Sequence, residues 1–314
     1  EGRPSGLAAS DTSTGRLLLI RTLHRQDKNP GNGAVLVVNG ASENNLQIER
    51  LEIPLGRFVC ITGVSGSGKS TLVEKVIYQN YLHQSGLGGQ ERGACNGLDG
   101  TEQIEEMMMM SQAPVGRSLR SNPATYLKFY DDIRKLFAST TAARRSKINA
   151  GAFSFNTVGG RCEECQGTGT VTLEMHFMAD IDVPCDTCGG RRFKKKVLDA
   201  RYNDLNISEV LSLTVDEAHN FFSDRTAIRA KLEYLRSVGL GYLTLGQSTS
   251  TLSGGEAQRL KLSAFLEDKN TAKGSMFIFD EPTTGLHLQD VRNLIAVLDG
   301  LVARGHSVLI IEHH

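Results

Sequence analysis

The segment Gly63-Val-Ser-Gly66-Ser-Gly68-Lys69-Ser70 constrains this chain most, because it dictates three consecutive pieces of structure. It fits GxxxxGK[ST], a pattern that requires a strand before it and a helix after it. Residues 57–62 are apolar and rich in β-branched side chains, as a feeding strand requires. Residues 69–82 place Leu72, Val76 and Ile77 on one helical face. Glycines let backbone N–H groups converge on phosphate oxygens, and the helix N-terminus adds its positive end. The expected nucleotide-binding set is Gly63, Ser65, Gly66, Gly68, Lys69, Ser70 and Thr71. Lys69 reaches the outer phosphates and Ser70 the Mg²⁺.

Two later segments extend this reading. Met276-Phe-Ile-Phe279-Asp280-Glu281 is an apolar strand ending in two acids. Asp280 is placed to hold Mg²⁺ through water and Glu281 to polarise the attacking water, since phosphoryl transfer needs mainly positioning and charge stabilisation. Ser253-Gly254-Gly255-Glu256 opens a helix with a Ser-x-x-Glu cap, and its glycines leave bare N–H groups that suit an anion. The end of the chain alternates helix 256–268, strand 276–279, helix 289–304 and strand 308–311, which implies an α/β layer with parallel strands. Residues 34–38 read as a further strand, 83–106 as a Gly-rich loop or insertion, and Met107 to Met110 as a short buried strand.

Between these segments lie Cys162-x-x-Cys165 and Cys185-x-x-Cys188, nineteen residues apart. The spacing fits a four-thiolate zinc site, structural and closed. An iron–sulfur centre is the alternative, and the glycines after each pair (Gly167, Gly169, Gly189, Gly190) favour zinc knuckles. Strands at 171–177, 181–184 and 197–202 are expected around this module, a capping box at Thr214 and Glu217, and a helix at 228–238. Cys60 reads as a buried core thiol and Cys95 as a loop thiol.

Composition narrows the class. Hydrophobic residues make up 39% and charged residues 22% of 314, with zero formal net charge. No apolar run is long enough to cross a membrane and the first residues do not form a signal peptide, so a cytoplasmic protein is expected. Charge is uneven, however. Residues 113–161 carry nine basic side chains against two acids, and Arg191-Arg192-Phe193-Lys194-Lys195-Lys196 follows the last CxxC. Such clusters suit a phosphate-backbone partner.

Taken together, the phosphate loop, Leu252-Ser253-Gly254-Gly255-Glu256, Asp280-Glu281-Pro282-Thr283-Thr284-Gly285-Leu286-His287 and Ile310-Ile311-Glu312-His313 resemble the ABC ATPase superfamily. The cysteine module narrows the resemblance to the UvrA family, the damage-recognition ATPases of bacterial nucleotide excision repair, and to their C-terminal nucleotide-binding half. Gln112-Ala-Pro-Val-Gly116-Arg117-Ser-Leu-Arg120-Ser121-Asn122-Pro123, Phe153-Ser-Phe-Asn156, Glu174-Met-His-Phe177 and Leu245-Gly-Gln-Ser248 carry that likeness, which covers residues 35–314.

The resemblance implies an α/β P-loop ATPase domain with an inserted helical signature domain that bears the zinc module. Residues 1–34 are expected to be a linker or disordered edge and 35–112 the first part of the ATP-binding domain. Residues 113–250 are the signature and DNA-binding insertion, with the zinc module at 159–193. Residues 251–314 are the returning part, cut short at its end. Catalysis falls to Glu281, His313, Gln112 and Asp280. Ser253, Gly254 and Gly255 face the nucleotide of an opposing domain, so a second nucleotide-binding domain is needed. Arg117, Arg120, Ser121 and Asn122 match the segment that meets the DNA backbone. Damaged duplex DNA, a UvrB-like helicase reached through the missing N-terminal half, and a homodimer of the full-length protein are the implied partners, with ATP, Mg²⁺ and Zn²⁺ as cofactors and no membrane. Two rivals are a UvrA-like paralogue that confers tolerance to DNA-binding drugs and another DNA-associated ABC ATPase.

Overall fold

The computed structural model describes residues 33–115, 118–173, 175, 177, 181–267 and 274–313. The expected linker therefore lies outside the described residues except for Gly33 and Ala34. Contacts divide the chain into two units, one of residues 1–113, 237–239 and 268–314 and the other of residues 114–236 and 240–267. The helix that follows Ser253 groups with the second unit, whereas the sequence reading starts the returning ATP-binding part at 251.

The first unit is built on a four-stranded parallel sheet in the order Phe58–Thr62, Ser307–Glu312, Met276–Asp280, Met107–Met110. Its two central strands are apolar along nearly their whole length rather than alternating, because a parallel sheet buries both faces. Phe277, Ile278, Leu309 and Ile311 are fully buried. A second sheet is antiparallel, with Val35–Ala41 between Ile48–Pro54 and Gly97–Asp99. Leu36, Val38, Ile53 and Leu98 from this sheet share one core with Val73, Val76 and Ile77 of the helix after the phosphate loop. That helix runs over Thr71–Gln79 with the wider π winding and continues as Asn80–Gln84.

Two expectations change here. The segment 83–106 is not only a loop, because Gly97–Asp99 pairs with the Val35–Ala41 strand. Three residues containing a glycine and an aspartate carry too weak a strand signal to be read alone. Cys60 is exposed rather than buried. It sits on an edge strand of the parallel sheet, where an apolar run does not guarantee cover on both faces.

The second unit is largely helical. Its core is aromatic, with Phe129, Phe137, Phe153, Phe155, Phe193 and Phe222 all fully buried. Helix Tyr130–Ala138 contributes Tyr130, whose hydroxyl donates to the Phe153 carbonyl at 2.8 Å. Side chains define the helix starts: Asn206 with Glu209 before Ile207–Ser212, and Thr214 with Glu217 before Val215–Phe221, both as capping boxes. Helix Thr226–Ser237 and helix Gly254–Glu267 complete the unit.

The strand expected at 197–202 is instead a short helix, Lys195–Leu198, followed by a two-residue strand Arg201–Tyr202 that pairs with Leu205–Asn206. Asn203 and Asp204 between them both take positive φ, 46° and 64°. That is the chemistry of a tight hairpin turn, and it leaves only Arg201–Tyr202 of the expected strand as strand. Thr170–Leu173 and Ile181–Pro184 form the expected antiparallel hairpin, with the first strand shorter than predicted.

Candidate nucleotide-binding site and cysteine centre

The parallel sheet gathers the candidate catalytic groups at one edge. The phosphate loop leaves Thr62, Gln112 follows Met110, Glu281 follows Asp280 and His313 follows Glu312, each just past the carboxyl end of its strand. The register aligns them, with Glu312 opposite Thr62, Asp280 opposite Ile311 and Phe279 opposite Met110. Carboxyl ends of parallel strands are where open α/β sheets bind ligands.

A cavity of about 220 Å³ opens there, lined by Asn44, Asn45, Ser65, Gly66, Gly68, Lys69, Ser70, Thr71, Glu281 and His313. Gly66 and Gly68 have φ of 78° and 92°, values that admit glycine without strain. A Cβ on Gly68 would also meet Leu46 Cδ2 at 2.8 Å. Lys69 is buried, and its ammonium donates to the Gly63 and Val64 carbonyls at 2.8 and 2.9 Å, lying within the loop. Ser70 is exposed and spends no side-chain bond on capping its helix, so its hydroxyl is available to a cation.

The acids sit close enough to influence one another. Asp280 has its pKa raised, first by burial and then by the negative charges of Glu281, Glu74 and Glu312, with His313 opposing. Crowded carboxylates of this kind fit a divalent cation, which relieves their repulsion. Glu281 Oε1 lies 2.9 Å from His313 Nε2. Gln112 Nε2 donates to the Asp280 carbonyl at 3.2 Å. Glu281 is held at φ 46°, a left-handed conformation unusual for glutamate. Its N–H donates to the Ile311 carbonyl at 2.9 Å, which pins that conformation.

Sequence reasoning missed three participants. Glu312 is 6% exposed and accepts from both the N–H and the hydroxyl of Thr283, at 3.0 and 2.6 Å. Asn45 Nδ2 donates to the Gly66 carbonyl at 3.0 Å. Glu74 adds its charge to the carboxylate group. Glu312 stands beside a candidate histidine at a strand end, which is the signal that could have marked it. Asn45 and Glu74 have no local signature.

In the second unit, Ser253 and Glu256 form the expected cap. The Ser253 N–H donates to Glu256 Oε2 at 2.7 Å and the Glu256 N–H to Ser253 Oγ at 3.3 Å. Gly254 is half-buried and Gly255 buried. Tyr242 donates to Glu256 Oε1 at 2.6 Å. Desolvation raises the Glu256 pKa, but the hydrogen bonds from Tyr242 and Ser253 outweigh it and the net shift is downward.

Of the expected DNA contacts, Arg117 lies outside the described residues. Arg120 is half-buried and bonds Gln166 Oε1 at 3.4 Å, and the Ser121 carbonyl accepts from Thr249 N–H at 2.8 Å. Asn122 departs from expectation. It is fully buried and caps helix Pro123–Tyr126, with Oδ1 accepting the Thr125 N–H at 3.0 Å. A buried cap presents no side chain to a backbone phosphate. The same unit carries exposed cations at Lys128, Lys135, Arg144, Arg145 and Lys147.

The four cysteines converge. Cys162, Cys165, Cys185 and Cys188 are buried, and their sulfurs all lie within 4.8 Å of one another. Cys162 and Cys185 sulfurs are 4.0 Å apart, and those of Cys165 and Cys188 3.7 Å. Tetrahedral zinc with Zn–S bonds near 2.3 Å sets sulfurs about 3.8 Å apart, so the donor set fits that metal. At Cys165, desolvation is outweighed by N–H groups of Gly169 and Gly167 and by the neighbouring thiols, bringing its pKa down to about 7. At Cys188, desolvation dominates and the pKa is pushed up to about 12.

Fold and site together define an ABC-type, P-loop nucleotide-binding protein with an inserted cysteine module. No family model matches the chain. It is 47% identical over 288 residues to UvrABC system protein A of Streptococcus pyogenes and 47% identical over 292 residues to that of Aquifex aeolicus. These matches cover 92% of this chain but 30% and 31% of the relatives, so the chain spans under a third of their length. The crystal structure of UvrA2 from Deinococcus radiodurans superposes with a TM-score of 0.83 at 43% identity, covering 100% of this chain and 38% of that one. The chain belongs to the UvrA family. Among the described residues no helix is long and apolar enough to cross a membrane.

Proposed function

We propose that this chain is the C-terminal nucleotide-binding half of a UvrA-family excision-repair protein, hydrolysing ATP to control its hold on damaged duplex DNA. The observation that carries the reading is the convergence of the phosphate loop, Gln112, Asp280, Glu281 and His313 at one edge of the parallel sheet. Gly66, Gly68, Lys69, Ser70 and Thr71 hold the nucleotide phosphates, and Ser70 with Asp280 holds Mg²⁺. When bound, the magnesium ion supplies Lewis-acid stabilisation of phosphate charge. Glu281 accepts a proton from water and His313, 2.9 Å away, orients its carboxylate. Ser253, Gly254 and Gly255 serve the nucleotide of a second nucleotide-binding domain in the same full-length chain, so each site is composite.

The cysteine centre holds structural zinc and stiffens the helical unit. Exposed Lys128, Lys135, Arg144, Arg145 and Lys147, with Arg117 and Arg120, position duplex DNA through phosphate contacts without reading sequence. Lesions are then sensed through shape and deformability. The full-length homodimer, cytoplasmic, hands the site to a UvrB-like helicase.

The test uses the full-length protein. Its affinity for lesion-bearing and undamaged duplexes is measured with and without ATP, and transfer to a UvrB-like helicase follows. Lesion preference that responds to ATP, followed by transfer, supports the reading. Equal affinity with no transfer sinks it and leaves the ATPase assignment standing.

A further inference from the structure

Arg192 joins the cysteine cluster to the segment that leads into the Ser253 cap. It follows the second CxxC turn at φ 68°. Its carbonyl accepts the Cys162 N–H at 2.8 Å, and its own N–H serves the Cys188 sulfur. Both halves of the cluster therefore fix its backbone.

The side chain runs the other way. The guanidinium lies over the Phe155 ring, 5.7 Å from the centroid, and Nη2 donates to the Gly246 carbonyl at 2.8 Å. Nη1 is buried with no partner.

At the far end, Gly246 is tightly held. Its N–H donates to the Leu211 carbonyl at 2.8 Å, and a Cβ there would meet the same carbonyl at 2.9 Å. From Gly246 the chain passes through Gln247 to Ser248, which caps the turn Thr249–Thr251, and then reaches Ser253. Arg192, Gly246, Gln247 and Ser248 also share the lining of one cavity of about 330 Å³.

We infer that Arg192 is a positioning residue that transmits the loading of the cysteine centre to the 246–252 segment ahead of the Ser253 cap. The inference rests on the zinc reading of the four cysteines. With metal bound, the two cysteine turns hold the Arg192 backbone in place, and its guanidinium holds the Gly246 carbonyl. Without metal that hold weakens.

The test is hydrogen–deuterium exchange at residues 246–252 of the full-length protein, zinc-loaded and after chelation, with zinc counted in every sample. Wild type, Arg192→Gln and Arg192→Lys are compared. Chelation is expected to speed exchange of this segment in wild type about tenfold, the scale of one lost charge-assisted hydrogen bond. Zinc-loaded Arg192→Gln already shows the fast pattern and responds little to chelation. Arg192→Lys keeps the charge, loses the planar fork and falls between. Should Arg192→Gln fail to fold, the same comparison is read from Arg192→Lys. Wild-type exchange in a zinc-loaded variant, or an equal response to chelation in wild type and variant, overturns the tether alone. A folded wild type without zinc removes the metal reading and the tether with it.

Discussion

Replacing Glu312 isolates how the loop bearing Glu281 is held. Its carboxylate is 6% exposed and receives two hydrogen bonds from Thr283, at 3.0 Å from nitrogen and 2.6 Å from the hydroxyl. Two residues earlier, Glu281 sits at φ 46°, and a non-glycine residue there costs about 1–3 kcal/mol unless its surroundings enforce it. Glu312→Ala removes the one oxygen, Oε1, that accepts both bonds. Each unsatisfied donor costs about 1–3 kcal/mol when buried, and half-buried Thr283 recovers part of that from water, so a loss of about 2–4 kcal/mol is expected. Glu312→Gln keeps one acceptor oxygen and loses the charge, for about 1 kcal/mol.

The assay is amide exchange across 281–285, read alongside ATP turnover. At about 1.4 kcal/mol per tenfold, Glu312→Ala should speed exchange roughly 30- to 1,000-fold and Glu312→Gln about fivefold. Turnover should fall in the same order, because the Glu281–His313 pair loses its fixed geometry. Removing this charge also removes one cause of the raised Asp280 pKa, so that pKa moves down in both variants. Unchanged exchange at 281–285 in Glu312→Ala would refute the reasoning, as would equal effects in the two variants.

Three further outcomes are expected. Elemental analysis should find about one zinc per chain, and Cys185→Ser should lose it together with the Thr170–Leu173/Ile181–Pro184 hairpin. Asn122→Ala should cost about 1 kcal/mol in denaturant unfolding and leave DNA affinity unchanged, since the side chain caps a helix rather than facing a partner. Glu256 has a lowered folded pKa, so its contribution to stability is present above its ordinary value of 4.5 and is lost as pH falls through the folded value. Tyr242→Phe removes one of the bonds that hold the pKa down, so an acid titration followed at the Glu256 carboxyl should move to higher pH.

Much of the nucleotide-binding unit is legible because its signals are local. The phosphate loop fixes strand, turn and helix together, and Phe277 to Phe279 and Val308 to Ile311 are continuous apolar runs because both faces of their sheet are covered. The cysteine module is equally plain from spacing. What stayed hidden depends on contacts far apart in sequence. The Gly97–Asp99 strand exists only because the Val35–Ala41 strand offers it an edge. Cys60 is exposed because its strand ends the sheet, a fact no single strand carries. Asn122 reads as a polar surface residue, yet Pro123 after it already marks a helix start, and the capping reading was available. Lys195–Leu198 is a single helical turn too short to show a helical period, and Asn203-Asp204 marks the turn after it.

The central claim is that the phosphate loop, Glu281 and His313 belong to one ATP site, and a paired measurement of MgATP binding and turnover tests it most directly. In the full-length protein, Lys69→Ala in this half should abolish nucleotide binding at this site. Glu281→Gln should bind MgATP as wild type does and lose about 100-fold or more of this site's turnover. Wild-type turnover in Glu281→Gln, or undiminished binding in Lys69→Ala, would contradict it.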